Sequence, residues 1–178
     1  MDNKTYLIES ERTAASTLHR MFDDQTILAT LQNAVKHGQE VDKIKKGLYY
    51  GKPCNLSEIG ENDTEYLESI ADNVNIDILH GVLGVFTESV EMIEAVLKTM
   101  EHPPTHEMYQ KMDDVNMVEE IGDMEWYLAM LYRSLETYPE VAKQINIDKL
   151  RARYPGKFTT DAAINRDTDT ERTILENG

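Results

Sequence analysis

Apolar residues recur at intervals of three and four along most of this chain, which is the spacing of amphipathic α-helices. No sustained alternation of apolar and polar residues predicts a β-strand. We predict an all-α protein with helices over about 4–21, 24–46, 61–73, 75–100 and 113–136, and a shorter one near 147–153.

Glycine and proline mark the breaks between these helices, because proline lacks an amide donor and glycine weakens a helix interior. The breaks are Gly47 to Gly60, His102-Pro103-Pro104, Pro139 and Tyr154-Pro155-Gly156. From this pattern we predict a helical N-terminal extension over 1–60, a helical domain over 61–166 and a flexible polar tail over 167–178.

Composition narrows the classes of partner and location. With 178 residues the chain can build one sizeable core. The net charge of −15 argues against nucleic acid polymers and anionic membranes as partners, since the protein's field would repel both. Cys54 is the single cysteine, and no apolar run is long enough for a signal peptide or a membrane span. We expect a soluble, cytoplasmic protein.

Two acidic pairs carry the chemistry, Glu88 with Glu91 and Glu120 with Asp123. Residues three apart lie on one face of a helix, so each pair can point its oxygens the same way. If the two long helices pack antiparallel, four carboxylates converge, and a hard divalent cation would offset their repulsion and lost hydration. The alternative is that each pair lies on a solvated helix face, which is the ordinary place for such pairs.

Glycines lie close to both acidic pairs. Gly81 and Gly84 precede Glu88 by about two turns and one turn, and Gly122 lies between Glu120 and Asp123. A glycine in a helix interior costs about 1 kcal/mol relative to alanine. Their presence therefore indicates either close helix packing or access for a ligand.

The flanks of the acidic pairs resemble those of a known family. GVFTESVEMIEA over 84–95 and NMVEEIGDMEWYLA over 116–129 resemble the MazG-like nucleotide pyrophosphohydrolases, whose signature is ExxE, a spacer and ExxD. KLRARYPGKF over 149–158 and AINRD over 163–167 resemble the C-terminal part of phage and bacterial members. The block KKGLYYGKP over 45–53 resembles one that many relatives place between the acidic motifs, whereas here it precedes both.

The resemblance implies a four-helix-bundle-like fold and a specific reaction. A (deoxy)nucleoside triphosphate would be hydrolysed to the monophosphate and pyrophosphate with Mg²⁺, or alternatively Mn²⁺. The implied metal ligands and catalytic acids are Glu88, Glu91, Glu120 and Asp123, with Glu94 as an outer acid or a base that orients water. Neither the base of the nucleotide nor the number of cations follows from the spacing.

Several polar and aromatic residues are candidates for substrate binding. Tyr127 lies one turn beyond Asp123, where it can either stack on a nucleobase or pack in the core. Asn116 lies one turn before Glu120 and can donate to the sugar or base. The candidate phosphate contacts are Lys98, Lys149, Arg153 and Arg166. For Lys98 and Arg153 the alternative is a favourable charge at a helix C-terminus.

Other functions compete with this one. The resemblance implies a homodimer or homotetramer in nucleotide-pool control or house-cleaning, within a host cytoplasm if phage-encoded, and leaves open a hydrolase of alarmones such as guanosine tetraphosphate. Asp77 and His80 form one imperfect acid-x-x-His pair, too little for a di-iron bundle, so we predict that His80 is a core or supporting residue. A non-enzymatic acidic module that binds nucleotides or proteins is the third alternative.

Overall fold

A computed structural model describes residues 1–15, 19, 21–53 and 74–177 of the chain. Within these ranges the regular structure is helical, with no strand, which confirms the predicted all-α class. The described helices are α1 (Asn3–Thr13), α2 (Asp24–Tyr50), α3 (Ile76–Met100), α4 (Asp114–Ser134), α5 (Pro139–Arg153), α6 (Thr160–Ile164) and α7 (Thr168–Asn177).

The helices belong to two compact units. The central unit is Phe22–Leu135 and contains α2, α3 and α4. The terminal unit combines Met1–Met21 with Glu136–Gly178 and contains α1, α5, α6 and α7. The predicted boundary at residue 60, the predicted helix over 61–73 and Cys54 lie outside the described residues.

Helix α2 is longer at its C-terminus than the sequence predicts. It continues through Gly47 to Tyr50 and ends where Gly51 takes a left-handed conformation, with φ of 62°. The Lys52 N–H then donates to the Lys46 carbonyl, which satisfies an otherwise open acceptor at the helix end. The extra turn places Tyr49 and Tyr50 on the helix instead of in a loop.

The central unit packs α2 antiparallel to α3. Tyr49, near the end of α2, donates to the carbonyl of Ile76 at the start of α3, while Gln39, earlier in α2, donates to Glu94, later in α3. A Cβ on Gly38 would overlap the Val90 side chain, so this glycine permits the close approach. The apolar core between the helices consists of Val35, Val90 and Leu97, with Leu28, Leu31 and Ile93 packed against it.

Helix α4 lies antiparallel to α3, and the two helices approach each other closely at two glycines of α3. A Cβ on Gly81 would come within 2.7 Å of Leu131, and one on Gly84 would overlap the Tyr127 ring. Of the two interpretations of these glycines, the structure shows close packing. Gly122 is different, since a Cβ there would meet open space.

This packing buries an unexpected face of α4. The apolar periodicity predicts Ile121 on the inward stripe, yet its side chain is 47% exposed, whereas Glu120, Tyr127 and Met130 are buried. The glycines of α3 explain the difference, because they provide room for Tyr127 and so turn the stripe that contains Glu120 inward.

Polar contacts join helices within the terminal unit. Arg151 of α5 pairs with Glu9 of α1 at 3.0 Å, and Lys143 donates to Asn3 at 2.6 Å. Where we expected a flexible tail, residues 168–177 form α7, whose Glu171 is buried against two arginines. None of the helices in the described part of the chain combines the length and apolarity needed to cross a bilayer.

Candidate metal centre

Three glutamates converge inside the central unit. Glu88 and Glu91 lie one turn apart on α3, and Glu120 faces them from α4. One carboxylate oxygen from each lies within 4.8 Å of the other two. Glu88 and Glu120 are buried and Glu91 is exposed, so the group opens toward solvent on the side of Glu91.

The separation of these oxygens suits a divalent cation. Ligands of Mg²⁺ bond at about 2.1 Å and those of Ca²⁺ at about 2.4 Å, so any two ligand oxygens of one ion lie roughly 3 to 5 Å apart, depending on whether they are neighbours or opposite each other. The donor set consists of carboxylates, which hard cations prefer. Glu88, Glu91 and Glu120 therefore fit a hard divalent cation, and we call them the carboxylate cluster.

Lys45 of α2 lies beside this cluster and is only 3% exposed. Its Nζ donates to Glu88 Oε1 at 3.0 Å and to Thr87 Oγ1 at 2.7 Å, and it lies 3.4 Å from Asp42 Oδ1. Burial strongly opposes its charged form, but the interactions with Glu88 and Tyr127 together outweigh burial and raise the pKa of Lys45 above its ordinary value. Lys45 thus enters the cluster as an ammonium ion.

The cluster remains short of positive charge with Lys45 in place. Burial raises the pKa of Glu91, and the neighbouring Glu88 and Asp42 raise it further. Burial also raises the pKa of Glu120, against a hydrogen bond from Asn116 that lowers it. Both carboxylates therefore hold protons more tightly than a free glutamate, as expected where negative charges outnumber nearby cations.

The other two predicted acids lie outside the three-residue group. Asp123 is exposed on α4, one turn beyond Glu120. Glu94 is half-buried one turn beyond Glu91, where it accepts from Gln39 at 3.4 Å and pairs with Lys98 at 3.4 Å. The structure thus brings together three of the four predicted ligands, and the roles of Asp123 and Glu94 stay predictions.

Tyr127 lies in the interior and is 6% exposed. One part of its ring packs on Gly84, and the Lys45 ammonium lies 4.9 Å from the ring centroid. Its hydroxyl lies 3.1 Å from that of Tyr50, and burial, followed by this contact, raises the pKa of Tyr127 to about 12. The structure therefore gives Tyr127 the packing role, and stacking on a base stays a prediction.

His80 is buried among aromatic rings, as predicted for a core residue. Its ring stacks on Tyr49 with centroids 3.8 Å apart and makes edge contacts with Tyr50, Trp126 and Tyr127. Burial lowers its pKa, and the positive charge of Lys45 lowers it further. His80 is therefore a neutral aromatic part of the packing beside the cluster.

The predicted substrate contacts divide between the two units. In the central unit, Asn116 donates to Glu120, and Lys98 pairs with Glu94. Lys149, Arg153 and Arg166 belong to the terminal unit. There, Arg153 and Arg166 both donate to Glu171, with shortest distances of 2.5 and 2.7 Å. A phosphate contact by either arginine stays a prediction, and would compete with Glu171.

Sequence reasoning did not find the roles of Lys45 and Asp42. The signal was the block over 45–53, which resembles a family motif in an unusual position along the chain. Antiparallel packing of α2 on α3 brings the first residue of that block to Glu88, whatever its order along the chain. The position of Lys45 along the chain therefore gave no indication that it contacts Glu88.

We compared the chain with protein-family models, curated proteins and solved structures, and none of these comparisons gave a match.

Proposed function

We propose that this protein is a divalent-cation-dependent hydrolase that cleaves a (deoxy)nucleoside triphosphate to the monophosphate and pyrophosphate. The observation that carries this proposal is the convergence of Glu88, Glu91 and Glu120 beside a single buried ammonium ion. The MazG-like signature over 84–95 and 116–129 supplies the reaction, since these glutamates are three of the four acids of that signature.

The cluster has a net negative charge that a triphosphate cannot approach unaided, because phosphate and carboxylate oxygens repel each other. Glu88, Glu91 and Glu120 would hold Mg²⁺ or Mn²⁺, with Asp123 as the fourth ligand that the resemblance implies. A bound cation supplies the positive charge that offsets this repulsion and stabilises negative charge on the departing pyrophosphate.

The chain's own residues would position the reactants. Lys45 and Asn116 hold the carboxylates of Glu88 and Glu120 by hydrogen bonds, which fixes the directions of their free oxygens. Glu94, one turn beyond Glu91 on α3, would accept a proton from a water molecule that attacks the α-phosphorus. The bond between that phosphorus and the bridging oxygen then breaks, and the electron pair leaves with pyrophosphate.

We also propose the MazG-like bundle and a homo-oligomer for the complete protein. Several apolar side chains on α3 and α4 are exposed within the described chain, and association would cover them. They are Val82 at 51%, Phe86 at 44%, Val115 at 80%, Val118 at 68% and Ile121 at 47% exposure. Light scattering on the purified protein tests this part, and a monomeric mass at assay concentration would contradict it.

The reaction is tested by incubating the protein with ribo- and deoxynucleoside triphosphates and guanosine tetraphosphate in the presence of Mg²⁺, and resolving the products. We expect monophosphate and pyrophosphate in equal amounts from at least one triphosphate. Diphosphate with inorganic phosphate would refute the proposed bond cleavage. No turnover with Mg²⁺ or Mn²⁺ would favour the acidic binding module.

A further inference from the structure

Lys45 has an uncommon environment for a lysine. Its ammonium is almost fully buried, and its neighbours are the oxygens of Thr87, Glu88 and Asp42. Lysine is among the residues that are almost never fully buried unless paired. Here the pairing partner, Glu88, is itself one of the three members of the carboxylate cluster.

A cation at the cluster would share Glu88 with Lys45. Lys45 Nζ donates to Oε1 of Glu88. An ammonium ion within a few ångströms of a divalent cation repels it strongly in a partly buried site. The same ammonium offsets the mutual repulsion of the three carboxylates when no divalent cation is present.

We propose that Lys45 is the resident counter-ion of the carboxylate cluster, which competes with a divalent cation for Glu88 and keeps the cluster assembled before that cation binds. This inference rests on the proposed function only in taking Glu88 as a cation ligand. Lys45 is then a positioning residue with two opposite effects, since it stabilises the cation-free protein and weakens cation binding.

The charges around the cluster support this role. Three carboxylates with one ammonium leave two negative charges, the number that one divalent cation neutralises. The nearby Asp42 pairs with Lys46, so that pair adds no net charge. With Lys45 in place the cluster therefore suits one divalent cation, and without it a second cation would meet less repulsion.

The test measures Mn²⁺ binding at pH 8 in the absence of nucleotide. Lys45→Met keeps an unbranched side chain of nearly the same length and removes its charge. Calorimetry, with free Mn²⁺ followed by electron paramagnetic resonance, should show binding about tenfold tighter or more than in the wild type. Without cation, the variant should melt at a lower temperature than the wild type, and Mn²⁺ should restore the difference.

Lys43→Met is the matched control. Lys43 lies exposed on the same helix, so the substitution changes the net charge equally without touching Glu88. We expect its Mn²⁺ affinity within about twofold of the wild type, since exposed charges are screened by salt. Lys45→Met binding no tighter than Lys43→Met would overturn the proposal.

If Lys45→Met fails to fold without cation, its refolding on addition of Mn²⁺ tests the proposal. Helicity that returns at Mn²⁺ concentrations below those that half-saturate the wild type supports the proposal. Helicity that stays low in millimolar Mn²⁺ overturns it. Because no nucleotide is present, these results are independent of the reaction products: a wild type without turnover refutes the proposed hydrolysis alone, and an unchanged affinity in Lys45→Met refutes the counter-ion role alone.

Discussion

Both units bury carboxylates, but the two units differ in how much positive charge lies beside them. In the terminal unit, the single carboxylate of Glu171 receives two guanidinium groups, from Arg153 and Arg166, and these hydrogen bonds lower its pKa to about 2. In the central unit, the three carboxylates of Glu88, Glu91 and Glu120 share one buried ammonium, and the pKa values of Glu91 and Glu120 are raised.

The difference separates a structural charge cluster from a candidate functional one. Burying an ionised group is costly, and a buried ion pair stabilises a fold only when its partners satisfy it. Glu171 meets this condition without an external ligand. The carboxylate cluster does not, and the unbalanced charge that it retains would be neutralised by a divalent cation.

The largest effect should follow removal of one charge from the carboxylate cluster. Glu91→Gln and Glu120→Gln keep the shape of the side chain and remove a cation ligand, so we expect turnover to fall by about 10³-fold or more. Circular dichroism should show helicity close to that of the wild type. Glu119→Gln, at an exposed neighbouring position, is the control and should retain activity within about twofold.

Asp123→Asn sharpens this comparison. If Asp123 is the fourth ligand that the resemblance implies, turnover should fall as far in Asp123→Asn as in Glu91→Gln. Activity within about tenfold of the wild type would limit the site to the three acids that the structure brings together. If Glu91→Gln and Asp123→Asn are both fully active, the acidic site is wrong.

The next largest effect should follow substitution of Glu171, whose charge is balanced by Arg153 and Arg166. Glu171→Gln leaves two arginines without their anion and should destabilise the terminal unit by about 3 kcal/mol at pH 7. Because the folded pKa of Glu171 lies below that of a free glutamate, its contribution is complete above about pH 4.5 and is lost as the pH falls toward 2. Hydrogen exchange of residues 139–177 should therefore show the two proteins converging as the pH falls from about 4.5 toward 2. A difference in exchange between wild type and Glu171→Gln that stays the same at every pH would contradict a role for the ion pairs of Glu171.

A smaller effect tests the packing that turns Glu120 inward. Gly84→Ala places a methyl group against the Tyr127 ring, so we expect a loss of about 1 to 3 kcal/mol in thermal or urea denaturation. Gly122→Ala on α4 meets open space and should stabilise the protein by about 0.5 to 1 kcal/mol through helix propensity. Equal effects at both positions would contradict the close-packing role of Gly84.

The spacing of apolar residues predicted the long helices α2, α3 and α4, because each has its own amphipathic pattern. It did not predict the end of α1 at Thr13, the start of α5 at Pro139, or helices α6 and α7. The break at His102-Pro103-Pro104 was also predictable, and α3 ends at Met100, just before it. The buried face of α4 was not. Apolar periodicity favoured the stripe containing Ile121, whereas the fit of Tyr127 against Gly84 turns the stripe containing Glu120 inward, and that fit depends on two helices together.

The candidate site was predictable only in part for a similar reason. Glu88 and Glu91 share local helical spacing, as do Glu120 and Asp123, and the sequence displays both pairs directly. Lys45 is separated from Glu88 by 43 positions and reaches it through the antiparallel packing of α2 on α3. Likewise, Glu171 of α7 pairs with Arg153 of α5, 18 positions earlier, and no local pattern indicates this contact.

We propose that the carboxylate cluster binds an external divalent cation, whereas the carboxylate of Glu171 needs none. Titration of Mg²⁺ into the wild type, Glu120→Gln and Glu171→Gln by calorimetry tests it most directly. We predict a saturable binding event in the wild type, a loss of affinity of about 100-fold or more in Glu120→Gln, and an unchanged affinity in Glu171→Gln. Equal Mg²⁺ binding by wild type and Glu120→Gln, or no binding by the wild type in the millimolar range, would contradict the account.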